Sequence, residues 1–195
     1  TAWVIHVINS EDGRDHGIVS FCDTDGWHSI FDETNAFSPT SLTVTFDGTV
    51  WIGTWASGII RADQNSIMQY GLDTFSIHES SGGNCGLCVS AIEMAPDGHL
   101  WAIKAQSGIV HFDGETWVTY PYYTEGKPTS LAISKENRVW IGELLGNVVA
   151  YKEKGQWYTF SDLPFSKVYD IEIAPDGAVW FGTEKGIYLY EELAP

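Results

Sequence analysis

A tryptophan that recurs about every forty residues is the feature that most limits the fold of this chain. Four related motifs, separated by 50, 39 and 40 residues, are Trp51-Ile-Gly-Thr, Trp101-Ala-Ile-Lys, Trp140-Ile-Gly-Glu and Trp180-Phe-Gly-Thr. A period of this length is typical of a chain that uses one supersecondary unit several times, because stacked neighbours bury a core that no single unit can bury alone.

In each unit a turn joins two strands, and the second of these strands contains the recurring tryptophan. Before each tryptophan lies an alternating polar and apolar segment, which predicts a strand. The turn between that segment and the tryptophan strand contains Asp47-Gly48, Asp97-Gly98, Glu136-Asn137 or Asp176-Gly177. Such pairs tolerate the positive φ that a two-residue hairpin turn requires.

Two more strands follow each tryptophan. A glycine six or seven residues later begins a third strand, and an aromatic segment then predicts a fourth strand. The fourth strands are expected at Trp117–Tyr120, Trp157–Phe160 and, in the second repeat, Thr74–Ile77. Each unit is therefore a four-stranded antiparallel meander.

The two ends of the chain carry incomplete units. A copy that starts at Trp3 lacks the first strand and has about seven extra residues between Asn9 and His16, and the last copy lacks the fourth strand. Radial stacking of such meanders predicts an all-β fold, a β-propeller of four-stranded antiparallel blades with five repeats and incomplete end blades. We expect a single domain over 1–195, with repeats at about 1–40, 41–88, 89–128, 129–167 and 168–195. We favour a ring of five blades over an arc of a larger propeller that another chain completes.

Several phrases carry a family resemblance. Ala95-Pro-Asp-Gly-His-Leu-Trp101, Ala174-Pro-Asp-Gly-Ala-Val-Trp180 and Val50-Trp-Ile-Gly-Thr54 resemble two-component regulator propeller repeats, and they are less closely similar to the repeats of the streptogramin lyase family. The resemblance implies a propeller and a periplasmic or extracellular sensing or binding role. It does not imply a reaction, because one fold serves many functions.

Charge narrows the choice of partners. Ten Lys and Arg against 26 Asp and Glu give a formal net charge of −16. We expect no nucleic-acid partner, since binding to phosphate needs clustered cations. No apolar run approaches the length of a spanning helix, so we expect no membrane insertion. A small molecule, a glycan or a protein remains as the ligand, and a homo-oligomer can form through the end blades.

Most of the aromatic residues are explained by the repeat. Eight of the nine tryptophans occupy equivalent positions in the second or fourth strands, which predicts packing between blades. Trp55 is the exception, and it follows a second strand, where other repeats place Lys104, Glu143 and Glu184. Such connections share a face with the links between blades, so these four residues are the candidate ligand-binding set.

Acidic side chains recur in the first strands. Glu93 and Glu172 occupy one level of the strands predicted to surround the channel, and Asp170 lies one step along the same face. Convergent carboxylates can hold Ca²⁺ or Mg²⁺, or raise one another's pKa for acid–base chemistry. Solvated acids are the simpler interpretation, so no cofactor is assigned, and Ca²⁺ or Mg²⁺ is the alternative.

Three cysteines are too few for a disulfide scaffold. Cys85 and Cys88 lie two residues apart in a glycine-rich link. We expect a local disulfide there, with free thiols or half of a metal site as the alternatives.

No catalytic constellation accompanies the six histidines, and no catalytic residue is assigned. A non-catalytic binding or sensing module is therefore the leading hypothesis. A metal-dependent lyase or hydrolase using a channel histidine with Glu93 or Glu172 is the second, and an assembly module pairing through its end blades is the third.

Overall fold

Five antiparallel sheets make up the described part of the chain. The computed structural model describes residues 2–9, 15–29, 38–55, 57–63, 67–70, 88–104, 108–120, 127–144, 149–160 and 163–190. Within these residues all regular structure is strand, as the repeats predict. No helix in the described residues has the length and apolar character needed to span a bilayer.

Strands follow one another in chain order within every sheet. The first sheet contains β1 (Ala2–Asn9), β2 (Asp15–Asp23) and β3 (Gly26–Ser29). The second contains β4 (Pro39–Val44), β5 (Val50–Thr54), β6 (Ile59–Ala62) and β7 (Ile67–Tyr70). The third contains β8 (Val89–Met94), β9 (Leu100–Lys104), β10 (Gly108–Phe112) and β11 (Trp117–Tyr120). The fourth contains β12 (Pro128–Ile133), β13 (Val139–Glu143), β14 (Val149–Glu153) and β15 (Gln156–Phe160), and the fifth contains β16 (Val168–Ile173), β17 (Val179–Thr183) and β18 (Gly186–Tyr190).

The first and fifth sheets each have three strands among the described residues, in agreement with the predicted incomplete end blades. Two details of the prediction are wrong. The fourth strand of the second sheet is Ile67–Tyr70, while Thr74–Ile77 lies outside the described residues. The extra residues near Asn9 do not form only a loop, because β1 and β2 pair as far as Asn9 opposite Asp15 and both strands are lengthened.

The recurring turns are longer than predicted. Thr45 and Thr49 bond through their backbones, so the connection has three residues instead of two. In the last position of that connection Gly48 has a φ of 87°, and Asn137 has a φ of 61° at the equivalent position of the fourth sheet. A type I turn followed by a left-handed residue is the usual three-residue hairpin, and Asn is the side chain that best replaces glycine there.

The first strands of the second to fifth sheets carry the same irregularity. The pairing with the second strand skips one residue, between Pro39 and Ser41, Val89 and Ala91, Pro128 and Ser130, and Val168 and Asp170. The skipped residue is a β-bulge, which increases the local twist and re-aims a side chain.

Each sheet packs on the next in chain order, and the core consists of four clusters between consecutive sheets. Trp51, Trp101 and Trp140 are buried in these clusters, so the predicted packing role is confirmed for them. The prediction is wrong for Trp27 and Trp180, which are 64% and 40% exposed.

Those two exposed tryptophans lie on the end sheets, where no described sheet covers them. The described strands of the first and fifth sheets make no extensive contact with each other. A ring of five closed blades is therefore not what the described strands form, and the sheets make an open arc.

Candidate functional site

The three predicted carboxylates of the first strands line one cavity of about 230 Å³. Glu93 comes from β8, while Asp170 and Glu172 come from β16 two sheets away. The intervening wall is the backbone and side chains of residues 131–133 in β12. The structure thus brings together residues that the sequence places almost eighty positions apart.

The register explains why these side chains converge. Glu93 pairs with Trp101, and Glu172 pairs with Trp180, so both glutamates occupy the same position of equivalent hairpins. Consecutive hairpins stack radially, so equivalent positions of the inner strands meet at one level near the axis.

The surroundings of Glu93 favour its protonated form. Burial, with the negative charges of Glu172 and Asp170 as further causes, raises the pKa of Glu93 to about 7. A hydrogen bond with the backbone of Ile133 acts in the opposite direction. Glu93 is therefore able to gain or lose a proton near neutral pH, as groups in binding and catalytic sites often do.

A Ca²⁺ or Mg²⁺ site at Glu93, Asp170 and Glu172 stays a prediction. No group of three or more His, Cys, Asp or Glu side chains within the described residues has an arrangement that would hold a metal ion. The oxygen chemistry suits a hard cation, but the three carboxylates share a cavity without forming a ligand cage.

The four candidate residues near the strand ends lie in different environments. Trp55 is 57% exposed, and its backbone N–H donates to the Ser38 carbonyl at 2.7 Å. Lys104 and Glu143 are instead the last residues of β9 and β13 and are each 1% exposed. They belong to strands and not to an exposed connection, and burial lowers the pKa of Lys104.

Glu184 is exposed, but hydrogen bonds within the chain occupy its carboxylate. Ser166 donates to Oε1 from both its N–H and its hydroxyl at 2.7 Å, and the Lys167 N–H donates to Oε2 at 2.9 Å. Burial acts to raise the pKa of Glu184, but these hydrogen bonds outweigh it and lower the pKa to about 2. The carboxylate fastens the β17–β18 hairpin to the segment before β16.

The cysteine prediction is only partly within the described residues. Cys88 is buried and disulfide-bonded, and Cys22 is a free thiol. Cys85, the predicted partner, lies outside the described residues.

A second cavity, which the sequence did not suggest, opens between the second and third sheets. Its volume is about 280 Å³, and its walls include Trp51, Arg61, Tyr70 and Phe112. The Arg61 guanidinium lies 5.8 Å from the centre of the Trp51 ring. In the next repeat Lys152 occupies the position of Phe112, and His111 occupies the position of Arg61, so the sequence signals that the two grooves differ.

In the equivalent groove between the third and fourth sheets, the cationic side chain of Lys152 packs on aromatic rings. Lys152 Nζ lies 4.7 Å from the Trp101 ring centre and 3.8 Å from that of Tyr120. Cation–π contacts of this kind join neighbouring sheets without a ligand. On the same face His99 Nδ1 and His111 Nε2 are 2.9 Å apart, and burial, then the proximity of His99, lowers the pKa of His111.

Comparison with known proteins agrees with this geometry. A family model described as two component regulator propeller matches residues 162–185. A search of curated protein sequences finds no match.

Solved structures give the wider likeness. A streptogramin B lyase structure has a TM-score of 0.70 and 17% identity, over 97% of this chain and 68% of that one. A virginiamycin B lyase from Staphylococcus aureus has the same score and identity, over 97% and 70%. The extracellular domain of a hybrid two component system from B. thetaiotaomicron has a TM-score of 0.70 and 16% identity, over 92% of this chain and 25% of that one.

Likeness at these identities establishes the fold alone. The resemblance predicted from the repeat motifs is nevertheless confirmed, since the family model falls on the last repeat. The chain is a β-propeller module that carries a two-component regulator propeller repeat.

Proposed function

We propose that this chain is a non-catalytic ligand-binding module of the sensor type, and that its ligand occupies the cavity of Glu93, Asp170 and Glu172. The observation that carries the proposal is the convergence of these three carboxylates from two different sheets on one cavity. Concave sites with a few convergent polar groups are where small ligands usually bind.

The chemistry of the cavity points to a cationic group on the ligand. Ionised carboxylates only accept hydrogen bonds, and three of them together attract a metal cation or an organic amine. A cation next to Glu93 would favour its ionised form and reverse the shift that burial and its acidic neighbours produce. Binding near neutral pH should therefore release a proton.

A location outside the cytoplasm is part of the proposal. The two component regulator propeller match and the likeness to an extracellular domain of a two component system support it. A small amine, a cationic part of a glycan or a basic protein segment each fits the same acidic cavity.

A lyase or hydrolase reaction is the second candidate, and the pKa of Glu93 near 7 is the observation in its favour. No histidine is among the described residues that line the cavity. The histidine and glutamate combination expected from the sequence is therefore not assembled there by the described residues.

Isothermal titration calorimetry tests the proposal with CaCl₂, MgCl₂ and 1,4-diaminobutane as probes at pH 7. We expect one of them to bind, and Glu93→Gln and Glu172→Gln to weaken it at least about tenfold. Glu136→Gln, an exposed acid in a turn outside the cavity, is the matched control and should bind normally.

Two further measurements distinguish binding from catalysis. Titrations in buffers of different ionisation enthalpy should show proton release in the wild type and none in Glu93→Gln. Mass spectrometry should recover the diamine unchanged after overnight incubation. Chemical conversion of the probe, or equal affinity in wild type and Glu93→Gln, would contradict the proposal.

A further inference from the structure

Both ends of the arc present a sheet face with large apolar side chains exposed at positions that lie between sheets in the inner repeats. In the second, third and fourth sheets the second-strand tryptophan faces the following sheet and is at most 6% exposed. Trp180 occupies the same position in the fifth sheet and is 40% exposed. Trp180 is a core-type side chain, but no described sheet lies over it, and Glu172 pairs with it on the same face.

Register assigns two more apolar side chains to the face of Trp180. Leu189 pairs directly with Trp180, and Ile187 pairs with Gly182 two residues along the strand. Leu189 is 44% exposed and Ile187 is 74% exposed. The opposite face of this sheet contacts the fourth sheet through Phe181 and Tyr190, so the two faces are distinct.

The first sheet presents the other side of such an interface, the face that packs on a preceding sheet. Trp117 of the third sheet lies edge-on to Trp51 of the second, with ring centres 6.3 Å apart. Trp27 occupies in the first sheet the position that Trp117 occupies in the third. Trp27 pairs with Cys22, the next-to-last residue of β2, and Trp117 pairs with Phe112, the last residue of β10. The face of Trp27 would receive a preceding sheet, and Val4 shares that face.

We propose that these end faces, defined by Trp180, Leu189 and Ile187 and by Trp27 and Val4, are docking surfaces for further propeller repeats that close the arc. The incoming repeat would place a fourth-strand aromatic residue on Trp180, and the other would place a second-strand tryptophan on Trp27. The interface continues the series that already joins the five sheets.

The space left between the first and fifth sheets indicates how many further sheets would fill it. Five sheets of this chain cover 68% and 70% of the two lyase chains, so about two more sheets of similar size complete a ring of that kind. A second copy of this chain would bring five sheets and does not fit such a gap. The proposal is therefore two repeats of the same pattern.

A chain extended by its own repeats tests this directly. A copy of residues 67–173 appended after Pro195 supplies a fourth strand, two complete sheets and a first strand, in that order. We expect hydrogen exchange to slow at least about tenfold in the edge strands β18 and β1, because each gains a pairing partner. The control carries Trp117→Glu and Phe112→Glu in the appended copy only, and it should not protect β18.

The native chain gives an independent measurement that does not depend on the fusion. Trp180→Ser should shift the thermal midpoint by less than about 3 °C, whereas Trp140→Ser should unfold the protein or lower the midpoint far more. Equal large losses for both would show that the Trp180 face is already covered. Unchanged exchange of β18 next to well-protected appended sheets, or a concentration-dependent dimer of the native chain that protects β18, would also overturn the proposal.

Discussion

Glycine at the third position of the Trp-Ile-Gly motif allows neighbouring sheets to approach closely, and its replacement gives a sharp test of the arc. A Cβ added at Gly142 would contact the Ser130 hydroxyl and lie 2.5 Å from Val168 Cγ1 and 2.9 Å from Val168 Cβ. Val168 belongs to the next sheet. At Gly182, the equivalent residue of the last sheet, the nearest atom is Asp170 Cβ at 3.7 Å, which is ordinary contact.

The structure sets the size of the effect. Inserting a methyl group into a filled space costs about 1–3 kcal/mol, and the upper part of that range applies because the Cβ of Val168 cannot rotate away. Alanine recovers about 0.4–1 kcal/mol by restricting the unfolded chain where the native backbone suits it. Gly142→Ala should therefore destabilise by about 2 kcal/mol, and Gly182→Ala should be neutral or stabilising.

Urea and thermal unfolding, followed by circular dichroism, measure both variants. A loss of about 2 kcal/mol corresponds to a midpoint about 4–8 °C lower in a chain of this size. If Gly142→Ala is as stable as wild type, or if Gly182→Ala loses as much as Gly142→Ala, the inferred stacking of the fourth and fifth sheets is wrong.

Three other predictions follow from the charged groups. The pKa of Glu93 is raised to about 7, so the folded state binds a proton that the unfolded state has lost, and stability should fall as pH rises from about 4.5 to 7 by at most about 3 kcal/mol; urea midpoints should show this slope in wild type and not in Glu93→Gln. Glu184→Ala should speed amide exchange at Lys167, and since the folded pKa of Glu184 is lowered to about 2, the contribution of this carboxylate should be complete above about pH 4.5 and disappear as pH falls towards 2; retained protection of Lys167 would refute it. Lys152→Met should destabilise by about 1 kcal/mol through loss of its contacts with aromatic rings, whereas Lys154→Met in the adjoining exposed turn should change little in the same urea assay.

The repeat was readable from the sequence because every landmark is local. The tryptophan, the Asp-Gly turn and the third-strand glycine each act within one hairpin, so their spacing predicts the strands. The fourth strand at Ile67–Tyr70 was missed, since its exposed Ile67 and Met68 give no alternating pattern and only Tyr70 matches the aromatic residue of other repeats.

Burial depends on neighbours that a single repeat does not reveal. Trp140 and Trp180 have the same local sequence context, yet only Trp140 has a sheet over it. Lys104 and Glu143 were expected at a binding face because the connection after the second strand was predicted to lie there, but both residues end their strands and are buried. The carboxylate cavity was predictable to the level of shared register, because equivalent positions of stacked repeats meet; the groove at Arg61 was not, because it depends on how large side chains fill space.

The repeated bulge in the first strands has a mechanical consequence. It turns the Thr40 hydroxyl sideways to donate to the Val89 carbonyl of the following sheet, and Thr129 does the same to Val168 at 3.1 Å. Ser90 occupies the corresponding bulge in the third sheet, and its hydroxyl makes no hydrogen bond within the residues that the structure describes. Hydrogen bonds from the bulges therefore tie the second sheet to the third and the fourth sheet to the fifth, whereas among the described residues the bulge of the third sheet adds no such bond to the fourth, and these two sheets are held instead by contacts such as those of Lys152 with Trp101 and Tyr120.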